Sequence, residues 1–97
     1  MRHALSLCAL AALATAGCGR PATEADCQLM IDRNVEVQMK AMNITDPAQI
    51  AKKKDEIRAE ERTREEIKGC VGRRVTEGML ACVKRAETTD EIERCMR

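Results

Sequence analysis

The sequence predicts an all-α fold, in which a disulfide-linked helical hairpin is followed by a short C-terminal pair of helices. Three observations lead to this prediction. Apolar side chains recur at helical spacing in four segments, with no strand-like alternation. A Thr or Asp suited to cap a helix precedes each segment. The 97-residue chain contains no aromatic residue but has six cysteines, so a core this small is expected to need cross-links.

The hairpin is predicted from two long segments. The first helix is expected over residues 24–42 after the cap Thr23, and the second over residues 47–71 after the cap Asp46. Between residues 52–68 the second helix is densely charged, which predicts a face exposed to solvent. The apolar stripe of the first helix consists of Cys27, Ile31, Val35, Met39 and Met42, widened by Met30, Val37 and Ala41.

The C-terminal pair is predicted from two shorter segments. Residues 77–86 after Thr76 form the third predicted helix, and residues 89–96 after Thr88 form the fourth. Glu91, three residues beyond Thr88, is placed to complete a capping box. The apolar positions of both helices are expected to face inward, toward the hairpin.

Composition argues against an enzyme. The only His and the only Ser are His3 and Ser6, which lie in a segment interpreted below as a removed signal. The rest of the chain lacks the side chains that most often act as general base or acyl-transfer nucleophile. The absence of aromatic residues and the formal net charge of +1 also disfavour nucleic-acid binding, which uses stacking and basic surfaces. We therefore predict a non-enzymatic protein with no cofactor and no nucleic-acid partner.

The N-terminus has the pattern of an export signal. Residues 1–3 supply positive charge, and residues 4–16 are uncharged. A run of about 13 residues forms a helix of only about 20 Å, whereas about 20 residues are needed to span a bilayer. The run is therefore interpreted as the apolar core of a signal peptide. It ends in the sequence Leu13-Ala14-Thr15-Ala16-Gly17-Cys18.

This ending resembles the lipobox of bacterial lipoproteins, in which small residues precede a cysteine. The resemblance covers only residues 1–20. It implies that the Cys18 thiol is modified with diacylglycerol, that cleavage makes Cys18 the first residue, and that its amine is acylated. The residue after the cysteine is Gly19 and not Asp. By the same resemblance, this implies a location at the outer membrane of a Gram-negative cell. The chain then divides into a signal peptide at 1–17, a lipidated cysteine with a tether at 18–22, and a helical domain at 23–97.

An ordinary secretory signal is the alternative. Residues 14–16, Ala-Thr-Ala, also form a cleavage site that would release a soluble protein starting at Gly17. The number of cysteines favours lipidation, because loss of Cys8 and modification of Cys18 leave four for two disulfides, whereas a soluble product has five. Removing residues 1–17 takes away one basic side chain and no acidic one. The remaining charges balance, so the lipid is expected to hold the protein at the membrane.

The pairing of the other four cysteines is predicted from their heights along stacked helices. If the second helix is straight, the positions of Cys27 and Cys82 along the helix axes differ by about 6 Å at 1.5 Å per residue. Those of Cys70 and Cys95 differ by about 2 Å. Cys27 with Cys70 has an offset of about 11 Å, beyond the usual Cα separation in a disulfide. We therefore expect the bonds Cys27–Cys82 and Cys70–Cys95. No metal is predicted, because gaps of 42, 11 and 12 residues are unlike the close cysteine pairs of zinc sites.

The predicted function is that of a membrane-anchored envelope lipoprotein with a structural or protein-binding role. The first helix has a wider apolar stripe than the second can cover, so Met30, Val37 and Met39 form a candidate face for a protein partner or a second copy. The alternative is a periplasmic small-ligand or copper carrier, with Met39 and Met42 as two thioether ligands. Methionines at helical spacing are, however, more typical of a core.

Overall fold

The computed structural model describes residues 19–97, so the predicted signal peptide and Cys18 lie outside the described residues. Five helices and two very short strands make up this part of the chain, which confirms the predicted all-α, disulfide-linked class. The strands are β1 (Arg20–Pro21) and β2 (Arg74–Val75). The helices are α1 (Glu24–Ala41), α2 (Pro47–Ala59), α3 (Glu61–Cys70), α4 (Glu77–Arg85) and α5 (Thr89–Cys95).

Four helices begin at side-chain caps that the sequence predicts. At α1 the Thr23 hydroxyl accepts the backbone N–H of Asp26, and the Asp26 carboxylate accepts the N–H of Thr23, which completes a capping box. At α5 the Thr88 hydroxyl accepts the N–H of Glu91, but the Glu91 carboxylate accepts the N–H of Glu87 instead of that of Thr88. The four caps are Thr23, Asp46, Thr76 and Thr88.

The second predicted helix is interrupted at Glu60, where the backbone is extended (φ −66°, ψ 136°). The continuous helix predicted over 47–71 is therefore wrong. The break has a packing reason, because α3 changes direction so that Thr63 is buried and Ile67 packs against the core, whereas α2 has no buried residue. Tertiary packing here overrides the helix preference of a charged segment.

Residues 20–22 belong to the folded domain, which corrects the assignment of these residues to the tether. Strand β1 pairs antiparallel with β2, with Arg20 opposite Val75 and Pro21 opposite Arg74. Ala22 is only 3% exposed and lies in the same buried cluster as Val75. This apolar contact and the strand pairing hold the segment in place. The sequence did not predict the strands, because two residues are too few to show the alternation by which a strand is recognised.

Two buried clusters form the core. Met30 packs against both clusters and joins them. Each cluster includes at least one disulfide-bonded cysteine, so a cross-link is built into each. The first core consists of Ala22, Cys27, Val75 and Leu80. The second core consists of Val37, Val83, Ala86, Ile92 and Cys95.

Candidate functional site

The β1–β2 end, defined as residues 19–23 and 71–76, is where the chain that follows Cys18 enters the fold. Two backbone hydrogen bonds close it. The N–H of Ala22 donates to the carbonyl of Arg73 at 2.7 Å, and the N–H of Gly72 donates to the carbonyl of Ala22 at 2.9 Å. The first described residue, Gly19, has a φ of 77°, in the left-handed region that favours glycine. The domain therefore begins directly after Cys18, with no linker between them.

Arg20 links three elements at this end. Its Nη1 and Nη2 atoms donate to the two carboxylate oxygens of Asp26 at 2.6 and 3.1 Å, and its Nε atom donates to Glu77 at 2.9 Å. These bonds tie β1 to the first turns of α1 and α4. The Arg20 guanidinium, and then the backbone N–H of Thr23, hold the pKa of Asp26 well below its usual range. Asp26 is therefore charged at neutral pH.

The disulfides join Cys27 to Cys70 and Cys82 to Cys95, with Cα separations of 6.1 and 5.6 Å. All four predicted cysteines are bonded, but the predicted pairs, Cys27–Cys82 and Cys70–Cys95, are wrong. The error comes from the break at Glu60. The height estimate assumed a straight second helix, whereas the change of direction brings the end of α3 level with the first turn of α1.

The candidate partner face is also corrected. Val37 and Met39 are only 4% and 7% exposed, and Met30 packs between the two cores. For Val37 the physical reason is that α4 and α5 pack on α1, so that this side chain is buried against Val83 and Ile92. The large apolar side chains with most exposure are instead Met42, at 59%, and Val71, at 46%.

Ion pairs hold α2 against α1. The Arg58 guanidinium donates to both carboxylate oxygens of Asp32, with its Nε atom 3.0 Å from Oδ1. The Glu36 carboxylate accepts hydrogen bonds from Lys54 at 2.5 Å and from Arg33 at 2.6 Å. Sequence reasoning missed these contacts because it assigned the charged middle of the second predicted helix to solvent. Charge spacing within one helix does not reveal a partner on another helix.

In this ionic cluster, Asp32, Arg33, Glu36, Lys54 and Arg58, each charged side chain is paired with one of opposite sign. Burial alone would raise the pKa of Glu36, but the hydrogen bonds from Lys54 and Arg33 outweigh burial, and the pKa of Glu36 lies below its ordinary value. Arg33 also donates to the carbonyl of Ala86 at 2.6 Å. The cluster therefore connects α1 to α2 and to the end of α4, and its role is to hold these helices together.

An open cleft of about 540 Å³ lies beside the ionic cluster, with Val37, Ile44 and Ile50 among the residues that line it. The cations Arg33, Lys40 and Lys54 also line the cleft, and each is paired with Glu36 or Glu87. These pairs leave little net positive charge for an anionic ligand. The cleft is nevertheless within the size range of small-molecule sites.

The methionines offered as copper ligands lie in different surroundings. Met39 is buried in the folded chain, whereas Met42 ends α1 and is exposed to solvent. Among His, Cys, Asp and Glu, the described residues contain no group of three placed to hold a metal ion.

Within residues 19–97, no helix is both long enough and apolar enough to cross a bilayer. No protein-family model, no curated protein and no solved structure matches this chain. The features that bear on function are therefore the N-terminal sequence, the use of the cysteines, and the β1–β2 end.

Proposed function

We propose that the protein is a bacterial envelope lipoprotein, held at the membrane by acyl chains on Cys18. The use of the cysteines supports this proposal. The four cysteines within residues 19–97 are bonded to one another as Cys27–Cys70 and Cys82–Cys95, so neither bond uses Cys18. In an oxidising compartment a free thiol there would be open to oxidation and exchange, whereas a thioether to diacylglycerol is not.

The lipid is the proposed source of membrane attachment. One acyl chain binds a bilayer only marginally, whereas two or more give stable anchoring at about 0.8 kcal/mol per buried CH₂. Residues 18–97 carry equal numbers of basic and acidic side chains, so overall charge contributes little attraction to anionic lipid. The lipobox resemblance at residues 13–18 and the Gly at position 19 favour the outer membrane of a Gram-negative cell as the location.

The folded domain is proposed to act structurally or by binding another protein. The half-buried carboxylates of Asp32 and Glu36 are held by cations on α2, an arrangement that suits stability better than proton transfer. A small-ligand or copper carrier is a weaker proposal. The cations along the open cleft are already paired, and the burial of Met39 would have to be undone for this thioether to bind copper.

Metabolic labelling with an alkyne analogue of palmitate, in a Gram-negative host that produces the full chain, tests the anchor. We expect label on the parent protein and on Cys8→Ala, and no label on Cys18→Ala. Cys8 is the matched control because it lies in the signal segment and in neither disulfide. An unlabelled parent protein, or label that persists on Cys18→Ala, would overturn the proposal.

A further inference from the structure

We propose that the β1–β2 end lies on the surface of the anchoring bilayer, with the Val71 side chain among the lipids and the Arg73 guanidinium at the level of the phosphates. The inference rests on the lipidation of Cys18 proposed above, and it assigns the orientation that this anchor imposes on the domain. The occupant of the surface is the headgroup and glycerol region of the lipid bilayer.

The first argument is the short distance between anchor and domain. Gly19 packs so closely on β2 that a Cβ atom there would lie 2.7 Å from the carbonyl oxygen of Val75. Ala22, which is hydrogen-bonded to the turn at 71–73, follows Cys18 by four residues, at most about 14 Å of extended chain. The bilayer that holds the lipid on Cys18 is therefore within reach of this turn.

The second argument is the direction of α1. This helix starts beside the β1–β2 end and has 18 residues, a length of about 27 Å at 1.5 Å per residue. Met42, the other strongly exposed apolar side chain, caps its far end. Met42 is therefore separated from the β1–β2 end by the length of this helix, so the proposed orientation places Val71, and not Met42, at the lipid surface.

The third argument is the chemistry of the surface. The segments 19–22 and 71–76 contain three arginines and no acidic residue. Arg20 is engaged by Asp26 and Glu77, so we assign the phosphate contact to Arg73, which is exposed and forms no ion pair within residues 19–97. An exposed apolar side chain two residues from an exposed cation is typical of contact with the membrane interface, where charge meets phosphate and apolar surface leaves water.

A single tryptophan can report this orientation, since the chain contains no Trp, Tyr or Phe. Full-length Val71→Trp and Met42→Trp variants are produced in a Gram-negative host and purified with their acyl chains. They are reconstituted in vesicles of phosphatidylethanolamine and phosphatidylglycerol, with or without acyl-brominated lipid as quencher. Mass spectrometry records acylation, and circular dichroism records folding. If Val71→Trp loses helicity, Pro21→Trp reports the same surface from an exposed position on β1 and leaves Arg73 in place.

We expect the Val71→Trp emission to move to shorter wavelength and to be quenched at least about twofold more strongly than that of Met42→Trp, because an indole at the interface contacts lipid. Adding Arg73→Glu to Val71→Trp should weaken the quenching. Adding Lys84→Glu, the same change in charge at an exposed site on α4, should not.

The possible failures are distinguishable. Equal quenching of Val71→Trp and Met42→Trp in acylated protein overturns the orientation and leaves the lipid anchor standing. Protein that carries no acyl mass overturns both the anchor and the orientation that rests on it.

Discussion

A Cβ atom on Gly19 would lie 2.7 Å from the carbonyl oxygen of Val75, so the residue that follows Cys18 packs directly against β2. The lipobox resemblance implies that this position takes part in sorting between membranes. The fold places its own demand on the same position, because a φ of 77° and a close backbone contact both require glycine there. A sorting experiment that replaces Gly19 would therefore also disturb the fold.

Gly19→Ala is expected to lower the free energy of unfolding by about 1–3 kcal/mol, because the side chain meets β2 and the backbone is strained. Gly69→Ala is the matched control. A Cβ atom at Gly69 meets no atom within 4 Å, and alanine is favoured over glycine in a helix by up to about 1 kcal/mol. Denaturant titration followed by circular dichroism measures both changes. A neutral Gly19→Ala would contradict the packing of residue 19 against β2.

The Arg20–Asp26 contact predicts a loss of stability in acid. Because the pKa of folded Asp26 is lowered, its contribution is fully present above the pKa of the unfolded carboxyl, about 3.9. The unfolded state binds the proton more readily, so the contribution is lost as the pH falls below that value toward the folded pKa. Melting temperature measured from about pH 5 down to about pH 2 should fall less steeply in Asp26→Asn than in the parent protein.

Arg20→Gln provides the control for this effect, since it removes the main cause of the lowered pKa and leaves the Asp26 carboxyl in place. In Arg20→Gln too, the melting temperature should fall less steeply in acid than in the parent protein. The double variant should add little to either single change. Additive effects of Arg20→Gln and Asp26→Asn would show that the two side chains do not act as a pair.

Glu60→Asp tests the break between α2 and α3, because an interrupted helix and a continuous helix predict changes of opposite sign in the free energy of unfolding. Glu60 begins α3 without a side-chain cap, so Asp there should add a cap and raise the free energy of unfolding by about 0.5–1 kcal/mol. In a continuous helix the same change would lower it by a few tenths of a kcal/mol, as we expect for the control Glu56→Asp within α2. A loss of stability in Glu60→Asp would contradict the break.

Tryptic digestion without reduction tests the disulfide pairing. Cleavage after Lys and Arg places Cys70 in peptide 69–73, Cys82 in 75–84 and Cys95 in 95–97. We expect peptide 69–73 linked to the peptide that contains Cys27, and peptide 75–84 linked to peptide 95–97. Recovery of peptide 75–84 linked to the peptide of Cys27 would restore the pairing expected from a straight second helix.

Removal of each disulfide should have a graded effect. The bonds close sequence separations of 43 and 13 residues, so the chain-entropy relation gives losses of about 4 kcal/mol for Cys27→Ala with Cys70→Ala and about 3 kcal/mol for Cys82→Ala with Cys95→Ala. Thermal unfolding of the two double variants shows which disulfide contributes more to stability.

The helix caps and the fold class could be predicted because their signals are local. Thr23, Asp46, Thr76 and Thr88 each precede an apolar stripe, and a cap needs only the next few residues to form its hydrogen bond. The participation of four cysteines in two disulfides followed from their number alone. These features do not depend on how one helix is directed relative to another.

The features that were missed depend on tertiary packing. Glu60 is a good helix former with neither Gly nor Pro beside it, so nothing local marks the break, and the error in the disulfide pairs followed from it. The Arg58–Asp32 contact joins two helices and has no local pattern. The burial of Val37 depends on where α4 and α5 pack, which the width of an apolar stripe does not specify.

The intact mass of the protein extracted from the cell envelope is the most direct test of the central claim, that Cys18 carries the anchor while the other cysteines of the mature chain form two bonds. We expect the mass of residues 18–97 plus diacylglycerol and an amide-linked acyl chain, less the hydrogens lost in two disulfides. A mass that corresponds to a chain starting at Gly17, with no acyl group, would contradict the account.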